Sequence, residues 1–300
     1  MSRILTLVNW NFENNGKKDA QRRFAGHQML RDLDPDVVLR REMWDAADDG
    51  QQVMYAMEGI LGLRGWLGEK SCTAIFARSE LFAPVRVWSP GPIWVLPPTA
   101  LTVQFIPAGT TAMPMVLVSY HLNYASATNR LAEVEWLSTW ADKKQPGPGG
   151  QDMVLPVLKG GDGNSFPVAG TPGDPALPEL ESIRDLPHRL HRSYVGPDGT
   201  RRMDDRPDEA LRTAGLIDVA RYRAQMGETA AVARTVNASP THGPDARIDR
   251  IYATPQLLPA VTGVDVIEVP LDISDHHIVR VQLDADVLAD ILNQPYAAAA

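Results

Sequence analysis

Four short patterns of carboxylate, carboxamide and imidazole side chains follow one another along the chain. They are Asn11 near the N-terminus, Glu42 after an apolar run, Gly161-Asp162-Gly163-Asn164 at mid-chain, and Ser274-Asp275-His276 near the C-terminus. Carboxylate and carboxamide oxygens bind hard divalent cations, and imidazole exchanges protons near neutral pH. Together such groups suit metal-dependent hydrolysis of a phosphoester. So widely spread, they meet only through folding.

Each candidate has a plainer reading beside the chemical one. Glu42 lies behind Arg40 and Arg41 after Val37-Val38-Leu39. A carboxylate at a strand end there holds Mg²⁺, which needs only one or two such ligands, or it simply pairs with an arginine at the surface. His121 ends the apolar run from Met115, placed either to donate to a phosphoryl oxygen or to serve structure alone. Asn123, just beyond it, and Arg41 are candidate substrate-binding residues. In Gly160-Gly161-Asp162-Gly163-Asn164 the glycines permit a tight turn that presents Asp162 and Asn164 together, although Asp/Asn turns are also common without function. Asp249 alternates with Ile248 and Arg250, so it faces the other way from them and is free to orient a histidine, with His276 as partner. Zinc is the less suited metal, since no His-x-x-x-His helix or cysteine pair accompanies these residues.

Stepping through the elements that must carry them, Ile4 to Val8 reads as a buried strand and Ala20 to Leu33 as a helix stopped by Asp34-Pro35. Val37 to Leu39 is the next strand, and Val53, Met57 and Ile60 mark a second helix. Strand-like runs follow at 73–77, 85–88, 101–105 and 115–120, then a helix through Leu131, Val134 and Leu137. Gln145 to Gly150 is a loop rather than a linker. A helix near Glu209, strands at 248–253, 264–269 and 277–283, and a helix from Ala285 complete the order. Such alternation predicts a layered α/β fold in one domain. The tail at 297–300 is expected to fray.

The chain has 300 residues, is 44% hydrophobic and carries a formal net charge of -8. That charge argues against general polyanion binding, which needs clustered lysine and arginine, but not against a nuclease whose acidic groups surround a cation. The single cysteine, Cys72, begins an apolar run and reads as core. With no membrane-length apolar stretch and no signal-peptide pattern, a cytoplasmic protein is expected.

The ordered set resembles the endonuclease/exonuclease/phosphatase superfamily over nearly the whole chain. The resemblance is carried by Asn9-Trp10-Asn11, Val37 to Glu42, Ser119-Tyr120-His121-Leu122, Gly161-Asp162-Gly163-Asn164, Arg247 to Ile251 and Ser274-Asp275-His276. It implies a four-layer α/β sandwich, two mostly antiparallel β-sheets flanked by helices, with the site at one rim. By the same resemblance Asn11 and Glu42 hold Mg²⁺ or Mn²⁺ with Asp275 nearby, and Asp162 and Asn164 position water and phosphate. His276, oriented by Asp249, is implied as general base, and His121 as a group that stabilises the phosphoryl charge or assists the leaving group.

Three residues depart from the usual pattern. Arg41 replaces the glutamine that usually precedes the glutamate, and either adds a cation at the site or turns into a salt bridge. Gly163 replaces an aromatic residue, and Glu13 stands where a second metal ligand could lie. A long insertion at 165–207 carries Arg184, His188, Arg189, His191, Arg192, Arg201 and Arg202. It brings cations to a polyanion or is a solvated loop paired with Asp204 and Asp205. The indoles of Trp88 and Trp94 suit packing more than stacking on bases. The function expected is hydrolysis of phosphodiesters in DNA, with a small-molecule or lipid-head-group phosphate as the alternative substrate.

Overall fold

A computed structural model describes residues 3–146 and 150–294 of the chain, so the tail at 297–300 lies outside the described residues. Two six-stranded sheets face each other. Across its width the first contains Val261–Ile267, Ile278–Asp284, Ile4–Asn11, Val37–Arg41, Thr73–Ala77 and Arg64–Leu67. The second contains Ile217–Asp218, Asp249–Ala253, Val157–Asp162, Met115–His121, Thr99–Phe105 and Phe82–Trp88. Neighbours are antiparallel except for one central pair in each sheet: Ile4–Asn11 beside Val37–Arg41, and Met115–His121 beside Val157–Asp162. This is the α/β sandwich that the sequence led us to expect.

Strand alternation builds the layers. Leu5, Leu7, Leu39 and Ile75 of the first sheet pack against Leu101, Leu117, Leu158 and Ile251 of the second in the central core. The intervening residues point outward. Val8, Trp10, Val38 and Phe76 meet Leu30, Met54 and Met57 from the helices Ala20–Asp32 and Asp48–Leu61. On the opposite outer face Val116, Val118 and Tyr252 meet Val134, Leu137 and Leu211 from the helices Ala127–Ser138 and Arg206–Thr213. Gly160 lets the two sheets approach closely, since a Cβ there would lie 2.7 Å from Asn9 Oδ1 and 2.8 Å from a Leu39 methyl.

The insertion is fastened at some points, although Arg184, Arg201 and Arg202 are exposed. Its Asp174 forms buried ion pairs with Arg247 at 2.5 Å and Arg221 at 3.2 Å. Its Asp204 pairs with the buried Arg130 at 2.7 Å. Trp94 is buried beside Trp140, and Trp88 is half-buried with its indole donating to Thr102. Cys72 is buried, which pushes its thiol up to about 11. Among the described residues no helix is long and apolar enough to cross a membrane.

Lys159 points into the outer core of the second sheet, fully buried, with its ammonium donating to Leu137 O at 2.9 Å. Burial, aided by Lys143, lowers its pKa from 10.5 to about 7. A buried amine with a depressed pKa favours folding least when charged. Its contribution is therefore complete above pH 10.5 and is lost as pH falls through 7. Lys159→Met is expected to stabilise the protein by about 1–3 kcal/mol at pH 7, with the gain shrinking towards pH 10. Urea unfolding of both proteins across that range checks this, and a less stable methionine variant at pH 7 contradicts it.

Candidate active site

The two parallel pairs run their C-terminal ends to the same rim, which is why residues so distant in sequence converge. Asn11 closes one strand and Glu42 follows its neighbour, while His121 and Asp162 end the matching pair in the facing sheet. Asp249 begins the antiparallel neighbour and stands in register with Asp162. Asp275 and His276 precede the strand Ile278–Asp284. Ser274 fixes that approach, its hydroxyl donating to Asn11 O at 3.2 Å and accepting from the Glu13 and His276 amides.

Asp162 is the hub. Its Oδ1 accepts the Asn164 amide at 2.7 Å and its Oδ2 accepts Asn11 Nδ2 at 3.1 Å. The Nε2 atoms of His121 and His276 lie 3.5 and 3.8 Å from the same Oδ2. Burial alone would raise this carboxyl, but His276, His121 and Arg192 hold it well below the usual carboxylate range. Asn164 adopts a left-handed φ of 45°, and its Nδ2 donates to Leu122 O at 2.9 Å. Glu42 is also left-handed, with a φ of 54°, so the chain turns sharply after its strand and points the carboxylate at the rim.

His276 Nδ1 lies 2.7 Å from Asp249 Oδ2, and the other Asp249 oxygen accepts Arg41 Nη2 at 3.0 Å. Burial favours the neutral ring, but Asp249, Asp162 and Asp275 outweigh it and raise His276 to about 10. His121 moves the opposite way. Its pKa is lowered, chiefly by burial and against the pull of Asp162 and Glu42, and its Nδ1 is buried without a partner. The histidines thus differ in charge at neutral pH, as acid and base partners in active sites often do.

Arg41, expected to bind substrate, does not reach it. Its side chain is fully buried and donates to Asn9 Oδ1, Leu39 O and Asp249, which places it behind the His276–Asp249 pair. Strand alternation explains this, because Arg41 shares the inward face with Leu39. Asn123, the other residue expected at the substrate, is also committed elsewhere: its Oδ1 accepts the Ala125 and Ser126 amides at 2.9 Å. Glu13 lines the cavity, but its carboxylate pairs with Lys17 at 2.5 Å and Arg22 at 2.8 Å, so it is not free to be a second metal ligand.

Two buried oxygens among the described residues of this site have no hydrogen-bond partner, Asn11 Oδ1 and Asp275 Oδ1. Burial, Glu13 and Glu42 raise the Asp275 pKa, while His276 lowers it. With the half-exposed Glu42, whose oxygens accept from Asn11 Nδ2 at 3.0 Å and the Asn14 amide at 2.6 Å, these two atoms form a set of hard oxygen donors with two carboxylates, which fits a small divalent cation. Asp162, Asp249 and His276 also place ligand atoms within 4.8 Å of one another. Both Asp249 oxygens, however, are taken by His276 and Arg41.

Glu42, His121, Asp162, Asn164, Asp275 and His276 line a cavity of about 440 Å³, with Asn11 and Asp249 behind them. Its lining adds Trp44, Tyr124, Phe166, Asn237, His188, Arg192 and His242. Of the basic residues in the insertion only His188 and Arg192 are among them. Trp44, Tyr124 and Phe166 each stand two or three positions beyond a site residue, a signal open to sequence reading. Asn237 and His242 carry none.

Residues 8–276 match the sequence profile of the Endonuclease/Exonuclease/phosphatase family. A search of curated proteins found no match. Among solved structures, an AP endonuclease from Archaeoglobus fulgidus is similar with a TM-score of 0.62 and 16% identity, over 93% of this chain and 99% of that one. The D. rerio TDP2 complexed with a single-strand DNA product gives 0.58 and 14%, over 93% and 98%. A mannosyl-6-phosphatase from Bacteroides thetaiotaomicron gives 0.56 and 17%, over 93% and 99%. At these identities the likeness is one of fold.

Proposed function

The chain belongs to the endonuclease/exonuclease/phosphatase family, and from that premise we propose that this metal-dependent phosphoesterase hydrolyses phosphodiesters, with DNA as its substrate. The observation that carries the reading is the meeting of Asn11, Glu42, His121, Asp162, Asn164, Asp275 and His276 at one rim, with two buried oxygens left unpaired. DNA is favoured by the fold shared with an AP endonuclease and with a protein captured on single-strand DNA. A cavity of about 440 Å³ gives a specific reason to keep a small phosphorylated molecule as the second reading, and a mannosyl-6-phosphatase shares the fold.

Asn11 Oδ1, Glu42 and Asp275 would hold Mg²⁺ or Mn²⁺, which supplies Lewis-acid stabilisation of charge on the phosphoryl and leaving oxygens. The ionised Asp162, held by the Asn164 and Asn11 amides, orients the attacking water in line with the leaving group. Asn164 lines the cavity beside it and helps place the phosphoryl group. We assign His276, expected as base, the role of donor, because its pairing with Asp249 favours the protonated ring, which would present Nε2–H to a phosphoryl oxygen. His121, whose burial favours the neutral ring, is left to exchange a proton with water or leaving group.

The test is parallel incubation with single-stranded DNA, duplex DNA, RNA, sugar phosphates and bis(p-nitrophenyl) phosphate in Mg²⁺ or Mn²⁺. Cleavage of DNA ahead of every small substrate is expected. Phosphate release from sugar phosphates with DNA left intact would transfer the protein to the second reading.

A further inference from the structure

Arg192 is a buried cation with no direct ion pair among the described residues, Asp162 and Asp249 acting on its charge only through space. The side chain belongs to a residue only 7% exposed, and Nη1 is buried with no hydrogen-bond partner. Its one side-chain contact is weak, Nε to His188 Nε2 at 3.4 Å. Arg41, Arg130 and Arg247, also buried, have carboxylate partners in Asp249, Asp204, and Asp174 with Asp218, whereas the fully buried Arg40 is held by neutral acceptors, Arg41 O and Asn15 Oδ1. Among the described residues no carboxylate forms an ion pair with Arg192. A buried guanidinium in this state costs stability, so its persistence calls for an anion from outside the chain.

The cavity has room for that anion. Arg192 lines it with Asp162, Asn164 and His276, and no other arginine or lysine is found among its described lining residues. Arg192 is also near enough to Asp162 for each to perturb the other's ionisation. His188 accepts from Arg192 through Nε2 and stacks on His242 with ring centroids 4.3 Å apart, so His242 braces the ring that faces the guanidinium. The insertion that supplies Arg192 is itself held by buried ion pairs, which makes the placement rigid.

We propose that Arg192 is a substrate-binding residue of this site, taking the non-bridging oxygens of the scissile phosphoryl group through its free N–H donors, with His188 as its positioning residue. This rests on the phosphoester-hydrolase reading above. A planar guanidinium binds two phosphoryl oxygens at once, which fixes orientation as well as charge.

The test compares wild type, Arg192→Ala and Arg192→Lys with bis(p-nitrophenyl) phosphate and Mn²⁺. Misplacing a reacting group typically costs about a hundredfold, so Arg192→Ala is expected to lose about that much kcat/KM, recovered in part by added guanidinium ion. Arg192→Lys keeps the charge but not the fork and is expected to lose about tenfold. Neither should melt below wild type, because the residue removed is an unpaired buried charge. Arg192→Ala turnover within about threefold of wild type overturns the proposal, as does a marked fall in melting temperature with no rescue by guanidinium. Calorimetric binding of inorganic phosphate separates this proposal from the functional reading. If wild type hydrolyses nothing yet binds phosphate about tenfold more tightly than Arg192→Ala, the reading fails and the anion site stands. Equal affinity overturns the anion site.

Discussion

Asp162→Asn is expected to lower turnover by about a thousandfold while leaving the fold intact, an effect within the range typical for groups that handle the reacting water. The isosteric amide keeps the shape of the hub but replaces one carboxylate oxygen by a donor. That oxygen accepts Asn11 Nδ2 at 3.1 Å and lies close to both histidines, and the other accepts the Asn164 amide at 2.7 Å. An amide satisfies only part of this set, and it brings no negative charge to balance His276, His121 and Arg192. Steady-state kinetics with a melting curve decides the matter. Retention of more than about a tenth of wild-type turnover would place the water-orienting group elsewhere.

His276→Ala is the second large effect expected, a loss of about a hundred- to a thousandfold, comparable to removing one preorganised donor from a transition state. It also leaves Asp249 as a buried carboxylate held only by Arg41 at this end. His276→Gln separates donor from base, because glutamine can donate an N–H but cannot take up a proton. If the ring acts as donor, the glutamine variant should be at least about tenfold more active than the alanine variant. Equal loss in both would return His276 to the role of base that the sequence suggested.

Much of this arrangement was legible from strand ends. Polar residues immediately after buried runs, as at Asn11, His121 and Asp162, had to sit at a sheet rim, and alternation correctly set Asp249 apart from Ile248 and Arg250. The same rule read one step further would have sent Arg41 inward with Leu39. The Asp249–His276 pair was read from the sequence, but the partners of other polar side chains were not. Glu13 is drawn to Lys17 four residues on and to Arg22, and Asn123 to the turn that follows it, local contacts that compete with the roles expected for them. Helices as short as Leu186–His191, inside the insertion, and Val219–Gln225, beyond it, hold too few turns for a hydrophobic period to show. Arg192 was visible as a charge, but not as one that lines the cavity with a buried donor left unpaired.

The central claim is that the Asn11, Glu42 and Asp275 oxygens make this rim a metal-dependent phosphoesterase site. Its most direct test is turnover of bis(p-nitrophenyl) phosphate by exhaustively chelated protein as Mn²⁺ is returned stepwise, with Glu42→Gln alongside. Activity should be absent after chelation, rise with added metal in wild type, and need far more metal in the variant. Full activity in the chelated protein, or identical metal titrations for the two, would contradict the account.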